Sequence, residues 1–306
     1  GHISTIQRIE EDKYVWLDRF TIRNLELIHS VQEGGVPLIQ LMDQTLTPMG
    51  ARLLRKWMVL PLKELKAINE RQEGVAGLIS SADLLDSLVH LLKPVGDLER
   101  LISKVAATRV NPRELLALKR ALLQIPEIKE LLAKQSSAYL AKWADQLNPC
   151  LKLVQKIDEA LREDAPMLIH QGGIIKTGFL PELDELHLLS ANGKEYLAAM
   201  QKREIERTGI SSLKISYNRV FGYYLEVTHA HKDRVPADWI RKQTLVNAER
   251  YITEELKIYE EKILTAEDKI ASIELGIFNE LVHEALGYLE LIQVNATGLA
   301  TLDVLT

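Results

Sequence analysis

From Ile252 to Leu281 the apolar residues Ile252, Leu256, Tyr259, Ile263, Ala266, Ile270, Ile273, Ile277 and Leu281 follow one another at nearly alternating steps of four and three. Only an α-helix returns such positions to one face. The stripe predicts a helix from about Asn247 to beyond Leu291, roughly 60 Å long at 1.5 Å per residue. A helix of that length must bury its stripe against a partner to be stable in water. The sequence offers one from Pro181 to Arg207, where Leu183, Leu186, Leu189, Gly193, Tyr196 and Met200 stand three or four residues apart. One compact insert joins the two arms, so they must run antiparallel.

The insert, Ile210 to Tyr251, is the part of the chain without helical rhythm. Leu213, Ile215 and Tyr217 alternate with Lys214, Ser216 and Asn218, and Tyr223 to Val227 is again aromatic and β-branched, which predicts a hairpin. Thr244 to Val246 is short enough to add a third strand, with Asn247 as the N-cap of the returning helix and Glu249 in its first turn. Between Arg207 and Arg250 stand eight Lys and Arg against four Asp and Glu, in a chain whose net charge is -5. A basic patch on an acidic body points to a polyanion, most simply the nucleic-acid backbone.

The remainder reads as a succession of capped helices. Thr47-Pro48, Ser81, Asp97 and Asn111-Pro112 each supply an N-cap, and Pro61 ends the helix that Thr47 begins. A strand is expected around Tyr14 to Leu17 and a helix from Thr21 to His29. Gln171 to Phe179, with Gly172, Gly173 and Gly178, breaks the rhythm before the first arm, and Ile174, Ile175 and Phe179 are expected to pack there. The fold class is therefore mainly α, a helical bundle with two long antiparallel helices carrying a small inserted β-rich subdomain.

No apolar run reaches the roughly eighteen residues of a membrane span, which predicts no membrane partner. The single cysteine, Cys150, excludes an internal disulfide, suits a reducing cytoplasm and is expected to pack rather than react. His229 and His231, with Asp233 nearby, read as a polar loop rather than a metal site. Glu254, Glu255, Glu260 and Glu261 alternate with lysines as solubilising charge does. No G-x-S-x-G and no G-x-x-x-x-G-K-[ST] occurs, so neither a nucleophile nor a phosphate cradle is expected.

Several long segments resemble one family. LTPMGARLLRKWMVLPL (Leu46 to Leu62), INERQEGVAGL (Ile68 to Leu78), WLDRFTIRNLEL (Trp16 to Leu27) and DLERLISKVA (Asp97 to Ala106) are similar to the lever region of the bacterial MutS mismatch-repair proteins. ERTGISSLKISYNRVFGYYLEVT (Glu206 to Thr228) and RKQTLVNAERYITEELKIYEEKIL (Arg241 to Leu264) resemble that family's clamp. The resemblance implies levers over residues 1–203, a clamp over 204–262 and a returning lever over 263–306. It implies no enzyme in this stretch, with ATP and Mg used by an ATPase domain of the full-length protein. It also implies duplex DNA as partner, mismatched in the full-length context, a homodimer, a MutL-type partner and a cytoplasmic, nucleoid-associated setting.

By the same resemblance Asn218, Arg219, Gln243, Thr244 and Asn247 are expected to touch the DNA backbone, and their charge adds Lys214, Arg241 and Lys242. The expected picture is a positively charged β tip lined by Asn218, Arg219 and Asn247 at the far end of two paired rods. The resemblance also implies a basic residue in some members of the family where this chain has Val246. Phe221, Tyr223 and Tyr224 are expected to supply at least two members of the insert's own core rather than a base-stacking platform. Phe278-Asn279-Glu280 repeats the Phe-x-Glu pattern of the family's mismatch reader, but lies within the packing stripe of the returning arm. Two other readings are a structural or interaction coiled-coil module and the clamp region of a MutS-like recombination paralogue.

Overall fold

The computed structural model describes residues 13–218 and 220–306. Among them are thirteen α-helices and four strands, so the chain is mainly α with one small sheet. The chain divides into two compact units, 1–167 with 278–306 and the intervening 168–277.

The first unit is a bundle. Its helices are α1 (Arg19–Asn24), α2 (Leu38–Met42), α3 (Pro48–Val59), α4 (Leu65–Ile79), α5 (Ala82–Leu92), α6 (Leu98–Ala106), α7 (Pro112–Leu123), α8 (Ile125–Ala133), α9 (Ala138–Gln146) and α10 (Leu151–Ala160). Thr47, Ser81 and Asp97 cap α3, α5 and α6 through their side-chain oxygens, and Asn111 forms a full capping box with Glu114 at the start of α7. Near Tyr14 only a one-residue bridge to Leu62 forms, and the helix expected to reach His29 stops at Asn24, where Leu25 and the left-handed Glu26 turn the chain. Leu88, Leu92, Leu98, Leu115 and Leu118 are fully buried at the centre.

Cys150 is buried, and burial pushes its thiol up to about 11. At pH 8 about one molecule in a thousand then carries the thiolate. Iodoacetamide is expected to leave the folded protein unlabelled and to label it fully in urea. Rapid labelling of the native chain would show that the thiol is not packed.

The second unit is built on α11 (Pro181–Thr208) and α12 (Glu254–Leu286), the latter continuing past Ile277 into the first unit. A last helix, α13 (Leu289–Leu305), follows a break at Gly287 and Tyr288, so the returning arm is not one helix to Leu291. Contacts pair Arg203 with Glu255 at 2.6 Å, Tyr196 with Tyr259 (stacked rings, centroids 3.6 Å apart) and Lys194 with Glu267 at 2.6 Å. As one number falls the other rises, so the two helices are antiparallel. Gly193 lets them approach closely, since a β-carbon there would stand 2.5 Å from Cγ1 of Ile263. Leu189, expected in the stripe, is exposed, and Leu197 is buried in its place. Ile174 and Ile175 are buried, whereas Phe179 is exposed.

The sheet has order β1-β2-β4-β3 and is antiparallel throughout: β1 (Lys214–Asn218), β2 (Gly222–Thr228), β3 (Ile240–Thr244) and β4 (Ala248–Ile252). One face carries Leu213, Leu225, Val227 and Tyr251, which close a core with Leu197, Met200, Trp239, Leu256 and Ile263. This corrects the expectation that Asn247 caps the returning helix. Asn247 lies in the turn between β3 and β4, Ala248–Ile252 form a strand, and α12 starts at Glu254, where Thr253 Oγ1 accepts from Leu256 N at 3.1 Å. The strand forms because β2 has a free edge to pair with, and such non-local pairing overrides local preference.

Candidate nucleic-acid interface

Register decides which of the candidate residues share a surface. Lys214 stands opposite Glu226, Glu226 opposite Arg250, and Arg250 opposite Gln243, so these four form one row across all four strands. Alternation along a strand places them on the face opposite Leu225 and Tyr251. Arg250 donates to Glu226 Oε2 at 3.0 Å and to Gln243 Oε1 at 2.9 Å, and its guanidinium lies 4.2 Å from the centre of the Tyr224 ring. Arg250 is thus committed within the sheet. Lys214, at the β1 edge, is exposed, and three strand spacings of about 4.8 Å separate it from Gln243 at the other.

The two turns lie at opposite ends of the sheet. The β1–β2 turn follows the pair Asn218 and Gly222, while at the other end of β2 Thr228 pairs with Ala248 beside the β3–β4 turn. Six residues of β2 separate these ends, roughly 20 Å at 3.3 Å per residue. Asn218 and Asn247 therefore do not share one extremity, which corrects that expectation. Arg219 lies outside the described residues. The β1–β2 turn is held along α12: Tyr223 N donates to Glu260 Oε2 at 2.7 Å and Lys257 Nζ to Phe221 O at 3.4 Å. Asn218 spends its side-chain oxygen on Val220 N at 2.8 Å. Tyr224 is buried, while Phe221 and Tyr223 are half-buried. Glu255 and Glu260 are structural rather than solubilising: Glu255 accepts from Tyr196 and Arg203, and Glu260 accepts from the turn.

At the other end, β3 is an edge strand with a bulge between Arg241 and Gln243, and Lys242 is the extra residue. Lys242, Thr244 and Asn247 are exposed, and Val246 between them is 91% exposed. Leu245 N donates to Ala248 O at 2.8 Å and closes the turn. Arg241 is drawn the other way, its Nη1 standing 3.6 Å from Oε1 of the buried Glu249, which Lys232 also approaches at 3.3 Å. The Tyr251 hydroxyl, then Lys232, hold the Glu249 carboxyl below the usual carboxylate range, and burial pushes Tyr251 up to about 12.

Residues 229–234 form a 3-10 turn joined to the same end. His229 N donates to Asn247 O at 3.2 Å, and His229 Nε2 stands 3.0 Å from Leu245 O. Ser212 and Thr228 share a hydrogen bond of 2.9 Å beside them. Sequence reasoning leaves His229 in a polar loop. The signal for its role is its place directly after a strand end, which only the pairing of β2 with β4 brings beside Asn247.

A model of MutS domain III matches residues 20–306. The chain belongs to the MutS family. Across 305 residues it is 52% identical to the DNA mismatch repair protein MutS of Bacteroides thetaiotaomicron, covering 100% of this chain and 35% of that protein. The MutS of Cytophaga hutchinsonii is 64% identical over 274 residues, 90% of this chain and 32% of the relative. That of Flavobacterium psychrophilum is 53% identical over 304 residues, 99% of this chain and 35% of the relative. The chain thus spans about a third of the length of the curated MutS relatives it matches. Among the described residues no single helix is long and apolar enough to cross a membrane.

Proposed function

We propose that this chain is a non-catalytic part of a MutS-type mismatch-repair protein that grips the duplex DNA backbone without regard to base sequence. The carrying observation is the β3 edge with its turn, where Lys242, Thr244 and Asn247 are exposed and close together in sequence, while Arg241 and Arg250 are drawn to Glu249 and Glu226. Lys242 supplies charge; Thr244, Asn247 and the unpaired N–H groups of the edge strand supply donors. Such groups hold phosphate and read no base edge. Lys214 and Asn218, at the two ends of β1, lie farther off and serve separate phosphate contacts, as does Arg219.

α12 continues from the sheet-bearing unit into the first, so rotation of packed helices is a route by which nucleotide-driven movement in a full-length protein reaches the sheet. The full-length protein would use ATP with Mg, dimerise with a second copy, engage a MutL-type partner and work on mismatched DNA in the cytoplasm at the nucleoid. That the relatives are DNA mismatch repair proteins supports repair over a recombination role.

With about two to four phosphates engaged, log affinity against log salt is expected to fall with a slope of about -2 to -4. Lys242→Glu combined with Asn247→Ala is expected to weaken binding at least roughly tenfold and to make that slope shallower by about one. Fluorescence anisotropy on a labelled duplex at several salt concentrations measures both. A double variant that binds like the parent would remove the interface from this end of the sheet.

A further inference from the structure

His229 does two things at the β3–β4 turn. Its backbone N–H donates to Asn247 O at 3.2 Å, and its ring Nε2 stands 3.0 Å from Leu245 O. A carbonyl oxygen only accepts, so Nε2 carries the hydrogen and the neutral ring is the Nε2–H tautomer. The lone pair is then on Nδ1, and protonation adds a cationic donor there without disturbing the bond that holds the turn.

We propose that His229 is a positioning residue for the Leu245–Asn247 turn and that its protonation adds one positive charge to the phosphate-holding surface, making the grip on DNA proton-linked. This rests on the reading of the β3 edge as the DNA contact. The surrounding charges leave room for the effect. Glu249, the acid of β4, is engaged by Tyr251, Lys232 and Arg241, and Glu226 of β2 by Arg250. Arg234, on the same 3-10 turn as His229, donates to Gly209 O at 3.0 Å. Lys242 of β3 adds positive charge, as does Lys214 of β1. Asp233 and the half-buried His231 complete the titratable groups of that turn. A phosphate drawn to the turn by Lys242 favours the charged imidazole, and by linkage the charged imidazole favours the phosphate.

The test is a salt titration of duplex binding by the 306-residue chain at about pH 5.5 and about pH 7.5, which bracket the usual range of histidine charge change. The parent is expected to bind roughly 3- to 10-fold tighter at the lower pH, with a log–log slope steeper by about 0.9. His229→Gln keeps a donor for Leu245 O but cannot become charged, and is expected to show one slope at both pH values. His231→Gln is expected to keep the parent's pH dependence. A parent with equal slopes, or a His229→Gln chain that still steepens, overturns the proposal. Ring nitrogen chemical shifts give a second readout that needs no DNA, since a neutral Nδ1–H tautomer at His229 also overturns it. If the Lys242→Glu, Asn247→Ala chain binds like the parent while the pH effect persists and depends on His229, the edge-strand reading fails and the proton-linked contact stands elsewhere on the 229–234 turn.

Discussion

Asp303→Ala is expected to destabilise the first unit by about 3 to 5 kcal/mol, because it leaves buried donors without an acceptor. Asp303 is buried on α13 and accepts from Leu46 N at 2.8 Å, Thr47 N at 2.9 Å and Thr47 Oγ1 at 2.5 Å. Thr47 is itself the N-cap of α3, its hydroxyl oxygen accepting from Gly50 N at 3.0 Å. One carboxylate thus orients the cap that starts a helix more than 250 residues earlier in the chain. At 2 to 4 °C per kcal/mol for a unit of this size, the midpoint of thermal unfolding should drop by roughly 6 to 20 °C. Asp303→Asn keeps one acceptor oxygen but turns an NH2 group toward the N–H donors, so it should fall between the two. Circular dichroism on heating reads this directly. A loss under about 1 kcal/mol for the alanine variant would mean that water replaces the carboxylate, and that α3 does not depend on α13 for its start.

The second large effect is expected at Gly222→Ala, about 2 to 4 kcal/mol of lost stability in the sheet-bearing unit. Gly222 has φ +75°, a conformation that costs a residue with a β-carbon about 1 to 2 kcal/mol. The added carbon would also lie 2.4 Å from both carboxylate oxygens of Glu260, which must then swing away from Tyr223 N. The β1–β2 turn loses its anchor on α12 as well as its conformation. Amide exchange at Tyr223 is the sensitive measure, since its protection should collapse while that of the Leu88 and Leu115 amides stays unchanged. Equal loss across both units would show that the turn is not a local anchor.

The arms and caps were legible because they depend on local spacing. Four-three periodicity identifies α12, and a Thr, Ser, Asp or Asn before an apolar run marks where α3, α5, α6 and α7 begin. Two elements escaped: β3, which runs Ile240–Thr244 where a strand is expected over Thr244 to Val246, and β4. Ile252 fits the stripe of the following helix, and Glu249 and Arg250 look solvated, so local pattern alone extends the helix backwards over a strand. Glu249 is in fact buried with Tyr251, and Arg250 lies over Tyr224, in an environment made by strands distant in sequence. The same cause hid the functional geometry. Lys242, Thr244 and Asn247 were named from sequence, but their separation from Asn218 follows only from the order β1-β2-β4-β3. The role of His229 depends on a carbonyl oxygen, which no side-chain pattern records.

The first unit is discontinuous in sequence and the second is not. On the ribosome, residues 168–277 are complete and able to fold while Thr47 still lacks the carboxylate that orients it. At about 5 to 20 residues per second, the interval between the synthesis of Met167 and of Asp303 lasts roughly 7 to 30 s. During that interval the buried faces that α3 and α4 later turn toward α13 have no cover, so chaperone capture of nascent chains should peak there and subside once α13 has emerged.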